Sequence, residues 1–207
     1  MRESYLVLAI QKGRVLDSYL DLIKGTKFEF KQNPKKTRRI LIETQSAKMK
    51  VLIVRGWDIP TYVSLGIADL GIVGKDILLE KENEDFIELV DLSICNCRLS
   101  LAGKSDDLIK SHKLSVATKY PKTARRFLEE NGIQPDVIYL HGAQEIAPEL
   151  GLSDAIIDLV DSGDTLKENG LKEIRKVRNI STRLIANVAC LKTKEILIED
   201  YKSTISS

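Results

Sequence analysis

The sequence predicts an α/β fold with largely parallel strands, arranged as two lobes, and three observations carry that expectation. Short β-branched runs alternate with segments of helical period along the 207 residues, the pattern of a sheet whose crossovers are helices. The alternation runs from residue 4 to about residue 93 and then starts again near residue 95. Neither a low-complexity linker nor an internal repeat separates the two series. Lobes joined by extended crossings are therefore expected, with lobe I formed by 1–93 plus 180–207 and lobe II by 94–179.

The elements follow in order. Residues 4–10, Ser-Tyr-Leu-Val-Leu-Ala-Ile, read as a buried strand. Residues 14–24 read as a helix with Val15, Leu16, Tyr19, Leu20 and Ile23 on one face. Two strands are expected at 39–43 and 50–54. Asp58-Ile-Pro-Thr opens a helix, with Asp58 as cap and Pro60 in the first turn. Residues 69–74, Asp-Leu-Gly-Ile-Val-Gly, form a strand with glycines where the backbone must approach something closely. In the second series, 114–118 is a strand and 121–131 a helix stopped by Gly132. A strand at 136–140 and a short helix at 144–150 come next. Residues 155–160 make a strand leading into a turn, 181–191 a long strand, and 193–206 a closing helix bearing Ile196, Leu197, Tyr201 and Ile205.

Hydrophobic residues at 43% and charged residues at 30% suit a globular chain able to bury a core. A net charge of +2 supplies no broad cationic field, so no nucleic-acid partner is expected. No apolar stretch approaches the roughly 20 residues of a membrane span, and the N-terminal apolar run is too short for a signal peptide. Cys95, Cys97 and Cys190 have neither metal-ligand spacing nor a disulfide framework. A cytoplasmic, reducing location follows as the expectation. Basic charge gathers locally in Lys31-Gln-Asn-Pro-Lys-Lys-Thr-Arg-Arg39, either a solvated loop or an anion-facing segment. His112 and His141 fall at no catalytic motif.

The chemistry concentrates in Asp154-Ala-Ile-Ile-Asp158-Leu-Val-Asp161-Ser162-Gly163-Asp164-Thr165-Leu166. An apolar strand ends, a Ser-Gly-x-Thr turn follows, and a short helix begins. Successive backbone N–H groups and two hydroxyls can there surround a phosphate, and Gly163 removes the Cβ that would hold the backbone away. Asp158 is placed upstream to accept hydrogen bonds from sugar hydroxyls. Asp154, four residues earlier, shares its strand face, so both carboxylates can point at a sugar. The turn alone is equally an ordinary strand–turn–helix with capping hydroxyls. The acid-rich approach strand favours a site for a phosphorylated ribose. Salvage phosphoribosyltransferases place two adjacent acids before such a turn, whereas Asp158 and Asp161 are separated by Leu159-Val160.

The passage from His141-Gly-Ala-Gln-Glu145 through Asn169-Gly170-Leu171 closely resembles the signature of the ATP phosphoribosyltransferases of histidine synthesis. The resemblance extends over Ala9-Ile-Gln-Lys-Gly-Arg14, Asp58-Ile-Pro-Thr-Tyr-Val, Gly66–Asp76 and Ala117-Thr-Lys-Tyr-Pro121, in the family's order. It implies a two-lobed fold similar to type II periplasmic binding proteins, with the active site in the inter-lobe cleft. The implied reaction joins N1 of ATP to C1 of phosphoribosyl pyrophosphate (PRPP), releases pyrophosphate and requires Mg²⁺, held mainly by substrate phosphates.

Displacement at an anomeric carbon builds positive charge on the ribose and negative charge on the leaving group, so cations aimed at the pyrophosphate are needed. Lys12-Gly13-Arg14 follows the first strand, where open α/β sheets place ligands. The resemblance makes Arg14 a contact to leaving group and nucleotide, with Gly13 letting the backbone approach. It gives Arg38 the pyrophosphate and ATP phosphates, with Arg39 a competitor for that role. Arg55 either binds a phosphate or pairs with Asp58. Gly74-Lys75-Asp76 follows another strand and is expected to line the cleft. Glu145 holds ribose hydroxyls or caps a helix. Ser162, Gly163, Asp164, Thr165 and Leu166 form the phosphate loop. Trp57 and Asp164 depart from the family pattern, and a carboxylate at 164 would repel a phosphate unless it turns outward or meets Mg²⁺.

Long-form members carry a further C-terminal regulatory domain, and about 40 residues follow the signature here. The resemblance is therefore to the short form, which works with a regulatory subunit related to histidyl-tRNA synthetase in a hetero-octamer. A solute-binding protein would share the fold without catalysis, but the cationic motifs count against it.

Overall fold

The computed structural model describes residues 5–81 and 85–205. Ser4 and Ser206, which end the expected first strand and closing helix, lie outside those residues. The chain forms two compact units, one of Met1–Cys95 with Ser181–Ser207 and one of Asn96–Ile180.

In chain order the elements of the first stretch are β1 (Leu6–Gln11), α1 (Arg14–Leu22), β2 (Leu41–Glu43), β3 (Met49–Val54), α2 (Ile59–Ser64), β4 (Leu70–Gly74), α3 (Lys75–Glu80) and β5 (Phe86–Asp91). The inserted unit contributes β6 (Cys97–Gly103), β7 (Lys113–Thr118), α4 (Pro121–Glu130), β8 (Gln134–Tyr139), β9 (Ala155–Val160), α5 (Asp164–Glu168) and β10 (Lys172–Ile180). The chain then returns as β11 (Thr182–Asn187), α6 (Val188–Thr193) and α7 (Glu195–Ile205).

Unit one is built on a six-stranded sheet of order β2-β3-β1-β4-β11-β5. The pairs β3–β1 and β1–β4 are parallel, while β2–β3, β4–β11 and β11–β5 are antiparallel. The sheet is thus mixed rather than largely parallel. Alternation along β1 sends Leu6, Leu8 and Ile10 to one side and Ala9 to the other. The first side packs on Val15, Leu16 and Tyr19 of α1 and on Ile198 and Tyr201 of α7. The second packs on Ile59 and Val63 of α2 and Ile77 of α3. Gly71 explains itself here, since a Cβ on it would sit 2.6 Å from Ile59 Cγ2 and 2.9 Å from Val63 Cγ2. In the first core the hydroxyls of Tyr19 and Tyr201 share a hydrogen bond of 3.1 Å, and burial raises the pKa of both.

Two local expectations change. Residues 181–191 are not one strand: β11 stops at Asn187, whose Oδ1 accepts from the N–H groups of Ala189 (2.9 Å) and Cys190 (3.2 Å) and so starts α6. Asp58 makes no side-chain cap; a 3₁₀ turn, Gly56–Asp58, leads into α2 instead, and Pro60 does lie in its first turn.

Unit two carries a five-stranded sheet of order β10-β6-β9-β7-β8. The pairs β9–β7 and β7–β8 are parallel, and β6–β9 and β10–β6 are antiparallel. Ala102, Ala117, Ile156, Val160, Leu166 and Leu171 form its buried core. The helix after β7 ends at Glu130, with Gly132 at φ 71° as the stop. The short helix expected at 144–150 is a 3₁₀ turn, Gln144–Ile146.

Candidate active site

Sheet direction determines which candidate residues of unit one meet. Because β3, β1 and β4 are parallel neighbours, with Gln11 opposite Val54, their carboxyl ends share one edge. The chain leaving each strand there carries Lys12–Arg14, Arg55 and Lys75–Asp76 in turn. The β2 strand runs antiparallel to β3, with Leu41 opposite Leu52, and Ile53 N–H donates to the Ile40 carbonyl at 2.7 Å. The residues before β2, Arg38 and Arg39, therefore arrive at the same edge. One end of the sheet thus gathers Lys12, Arg14, Arg38, Arg39 and Arg55, a strongly electropositive rim.

Gly13 separates Gln11-Lys12 from α1 with φ 87° and ψ −149°, a conformation essentially reserved for glycine. No atom lies within 4 Å of where its Cβ would stand, and Lys12, Gly13 and Arg14 are all exposed. A ligand can thus reach this backbone. Arg55 and Asp58 are both exposed, and among the described residues no ion pair joins them; the Asp58 N–H donates to the Arg55 carbonyl at 3.0 Å. The Lys75 ammonium pairs with Glu88 of β5, and its N–H donates to Ser181. Asp76 is buried, with its carboxylate folded back over Gly74. The side chains of Lys75 and Asp76 are thus engaged within the unit rather than presented at the rim.

In unit two the parallel strands β9, β7 and β8 likewise end at one edge. There the loop 161–163 leads into α5, and the segment after β8 brings the half-buried Glu145 in the 3₁₀ turn. Gly163 takes φ 89° and ψ 5°, the left-handed turn that glycine adopts without cost. Ser162 and Thr165 are exposed, but Leu166 is 6% exposed and sits in the core, so its side chain anchors the loop and is not open to a ligand. Asp164 turns back on the loop: Ser162 Oγ donates to its Oδ2 at 2.7 Å, and its own N–H donates to Ser162 Oγ at 3.3 Å. Asp158 lies near the loop end of β9, where Leu159 N–H donates to its Oδ1 at 2.7 Å.

Asp154 does not join this group. It precedes β9 at the end away from the loop, about 13 Å along the strand from Asp158. Its Oδ2 accepts from both N–H (2.9 Å) and Oγ (2.7 Å) of Ser115. It pins the starts of β9 and β7, which is a structural role.

Sequence reasoning passed over Arg98, at the start of β6. Its Nε and Nη2 grip both oxygens of Glu173 at 2.6–3.0 Å, and its Nη1 donates to the carbonyl of Asp161 at 2.9 Å. Glu173 is 75 residues away in sequence, so no local motif announces the pair.

The model of the family described as ATP phosphoribosyltransferase matches residues 55–207. A protein of that name from a Marinomonas species is 43% identical, over 94% of this chain and 91% of its own. The solved ATP phosphoribosyltransferase (HisG:HisZ) complex of Thermotoga maritima contains a chain 33% identical, with a TM-score of 0.83 over 97% of this chain and 96% of that one. The periplasmic aliphatic sulphonate binding protein of Escherichia coli superposes with a TM-score of 0.62 at 15% identity, over 98% of this chain and 68% of that one; it shares the fold alone.

Proposed function

Because this chain belongs to the ATP phosphoribosyltransferase family, we propose that its loop 161–165 binds the phosphoribosyl group while the cationic rim of unit one takes the pyrophosphate and the phosphates of ATP. The reaction is the first step of histidine biosynthesis: N1 of ATP displaces pyrophosphate from C1 of PRPP, giving N1-(5-phosphoribosyl)-ATP. The observation that carries the residue assignment is the gathering of Lys12, Arg14, Arg38 and Arg55 at one sheet edge. Leaving-group charge develops where such cations can stabilise it without reorganising.

Arg14, on the Gly13 turn, faces the leaving group and the nucleotide, and Arg38 joins it on the phosphates. Lys12 and Arg55 complete the anion site. Ser162, Gly163 and Thr165 cradle the 5-phosphate, and Asp158 and Glu145 accept from ribose hydroxyls. Gly74 makes room for the Asp76 carboxylate rather than for the nucleotide.

Among the described residues no group of three His, Cys, Asp or Glu is placed to hold a metal. Mg²⁺ takes oxygen ligands and keeps several waters, so the substrate phosphates would hold most of it. When bound, Mg²⁺ neutralises charge on the pyrophosphate. The chain also acts with a regulatory subunit related to histidyl-tRNA synthetase, in a hetero-octamer. The partner is suggested by the HisG:HisZ complex solved for the Thermotoga relative; its kinship and the hetero-octamer are what the family resemblance implies. No described helix is long and apolar enough to cross a membrane, and we place the enzyme in the cytoplasm.

The test combines ATP, PRPP and Mg²⁺ with the chain and its partner and follows the absorbance of N1-substituted adenine. Thr165→Ala is expected to raise KM for PRPP about tenfold, the value of one lost hydrogen bond to a charged group. Chelation of Mg²⁺ should abolish turnover. An unchanged KM for PRPP would remove the loop from the site.

Asp164 gives a second expectation of opposite sign. Its carboxylate lies beside the phosphate loop but is turned onto Ser162. Asp164→Asn removes a like charge while keeping a hydrogen-bonding oxygen, so PRPP binding should hold or improve. A weakening beyond about tenfold, roughly 1.4 kcal/mol, would mean that this carboxylate contributes directly.

A further inference from the structure

We propose that Arg98, held by Glu173 and Ser100, is a positioning residue that braces the phosphoribosyl-binding loop at its first carbonyl. The inference rests on the assignment of 161–165 as that loop.

The loop is tied down unequally at its two ends. At the far end Leu166 is buried among Ala102, Ala117, Ile156 and Val160. At the near end, strand pairing between β6 and β9 stops at Arg98 opposite Val160. Between these points Asp161, Ser162, Asp164 and Thr165 are exposed, and Gly163 adds backbone freedom. An anion cradle works only if its amides already point inward when the phosphate arrives. Something must therefore hold the chain where the ladder ends.

Arg98 is placed to do this. Its Cα lies opposite Val160, and its guanidinium reaches one residue further, where Nη1 donates to the Asp161 carbonyl at 2.9 Å. That reach is useful only if the guanidinium is itself fixed. Glu173 on β10 fixes it through the Nε–Nη2 edge, at 2.7 and 2.6 Å for the shorter contacts. Ser100, fully buried on β6, donates its hydroxyl to Glu173 Oε1 at 2.8 Å and so orients the carboxylate. The guanidinium hydrogen-bonded to Glu173 holds that carboxyl below its ordinary pKa, and the same contact raises Arg98. Both groups thus remain charged across the neutral range.

The planar fork makes the arrangement specific to arginine. One edge engages the carboxylate while the remaining nitrogen faces the loop, two directions that a lysine ammonium cannot serve with the same geometry. Arg98→Lys preserves the charge and can preserve an ion pair with Glu173, so it separates the brace from bulk stability.

The decisive measurement is KM for PRPP and for ATP in the full chain with its regulatory partner, alongside thermal unfolding and hydrogen exchange of the 162–165 amides. Arg98→Lys should raise KM for PRPP about five- to tenfold, leave KM for ATP within about twofold, and speed exchange in the loop. Glu173→Gln should shift the same parameters in the same direction by less. Equal rises in both KM values, or an unchanged KM for PRPP with unchanged loop exchange, would overturn the brace. Thr165→Ala keeps the two assignments apart. If it raises KM for PRPP and Arg98→Lys does not, the brace alone falls; if neither responds, the loop assignment falls with it.

Discussion

Replacing Arg14 by alanine is expected to lower kcat by about a hundred- to a thousandfold, or roughly 2.7–4 kcal/mol of transition-state stabilisation. The reason is positional. Arg14 is the first residue of α1, and the Gly13 turn before it brings exposed backbone and a guanidinium to the carboxyl edge of β1. A cation there opposes the helix dipole, a small local cost that an anionic leaving group would offset. Charge on the departing pyrophosphate grows as the C1–O bond breaks, so the interaction strengthens in the transition state and appears mainly in kcat. Arg14→Lys should recover part of the loss, because the charge returns without the planar fork. Steady-state rates under saturating ATP and PRPP decide the matter. A decrease smaller than about tenfold, 1.4 kcal/mol, would move the leaving-group contact to another cation of the rim.

The other large effect concerns stability. Lys194, between α6 and α7, donates to both carboxylate oxygens of Asp69 at 2.8 Å and to the Tyr5 carbonyl at 2.9 Å. Asp69 also accepts from Val7 N–H at 2.8 Å. The side chains are only 9% and 12% exposed, so neither charge is well hydrated. Lys194→Ala would strand the carboxylate in the interior, at a cost of about 3–5 kcal/mol. Urea unfolding should show that loss as a lower midpoint at an unchanged slope. The double change Asp69→Leu with Lys194→Met should recover much of it, because no charge then remains buried. A loss below about 1 kcal/mol for the single change would mean that water reaches the pair.

Local pattern carried much of this structure. The strand at 155–160 and the glycine stop at 132 were legible because apolar runs and turn residues agree there. Of the antiparallel-paired strands, β2 and the start of β11 were legible at 39–43 and 181–191, but β5, β6 and β10 were not. The segment Lys-Glu-Ile-Arg-Lys-Val-Arg-Asn-Ile that forms β10 is an edge strand rich in charge, and its bulges at 173/175 and 176/178 break the period of two. The run Leu-Ile-Ala-Asn-Val-Ala-Cys-Leu is apolar on both sides of Asn187, so nothing in hydrophobicity marks where β11 gives way to α6. The site divides in the same way. Motifs that follow parallel strands pointed to the Lys12–Arg14 turn and the 161–165 loop, and both lie at strand ends, where ligands collect in such sheets. Asp154 lies at the end of β9 away from the loop, because face alternation says nothing about which end of a strand a side chain occupies. Arg98 depends on a carboxylate on a distant strand.

The position of β11 between β4 and β5 has a consequence for how the chain folds during synthesis. Among the described residues β5 pairs only with β11, so when residue 91 leaves the ribosome its partner is still some ninety residues away in the sequence. Residues 96–180 are contiguous and contain every strand of their own sheet, so they can complete their hydrogen bonding first. The larger unit closes only when its last strand arrives, a long-range pairing that is slow to form. Until then the exposed edges of β4 and β5 are the nascent chain's main aggregation risk.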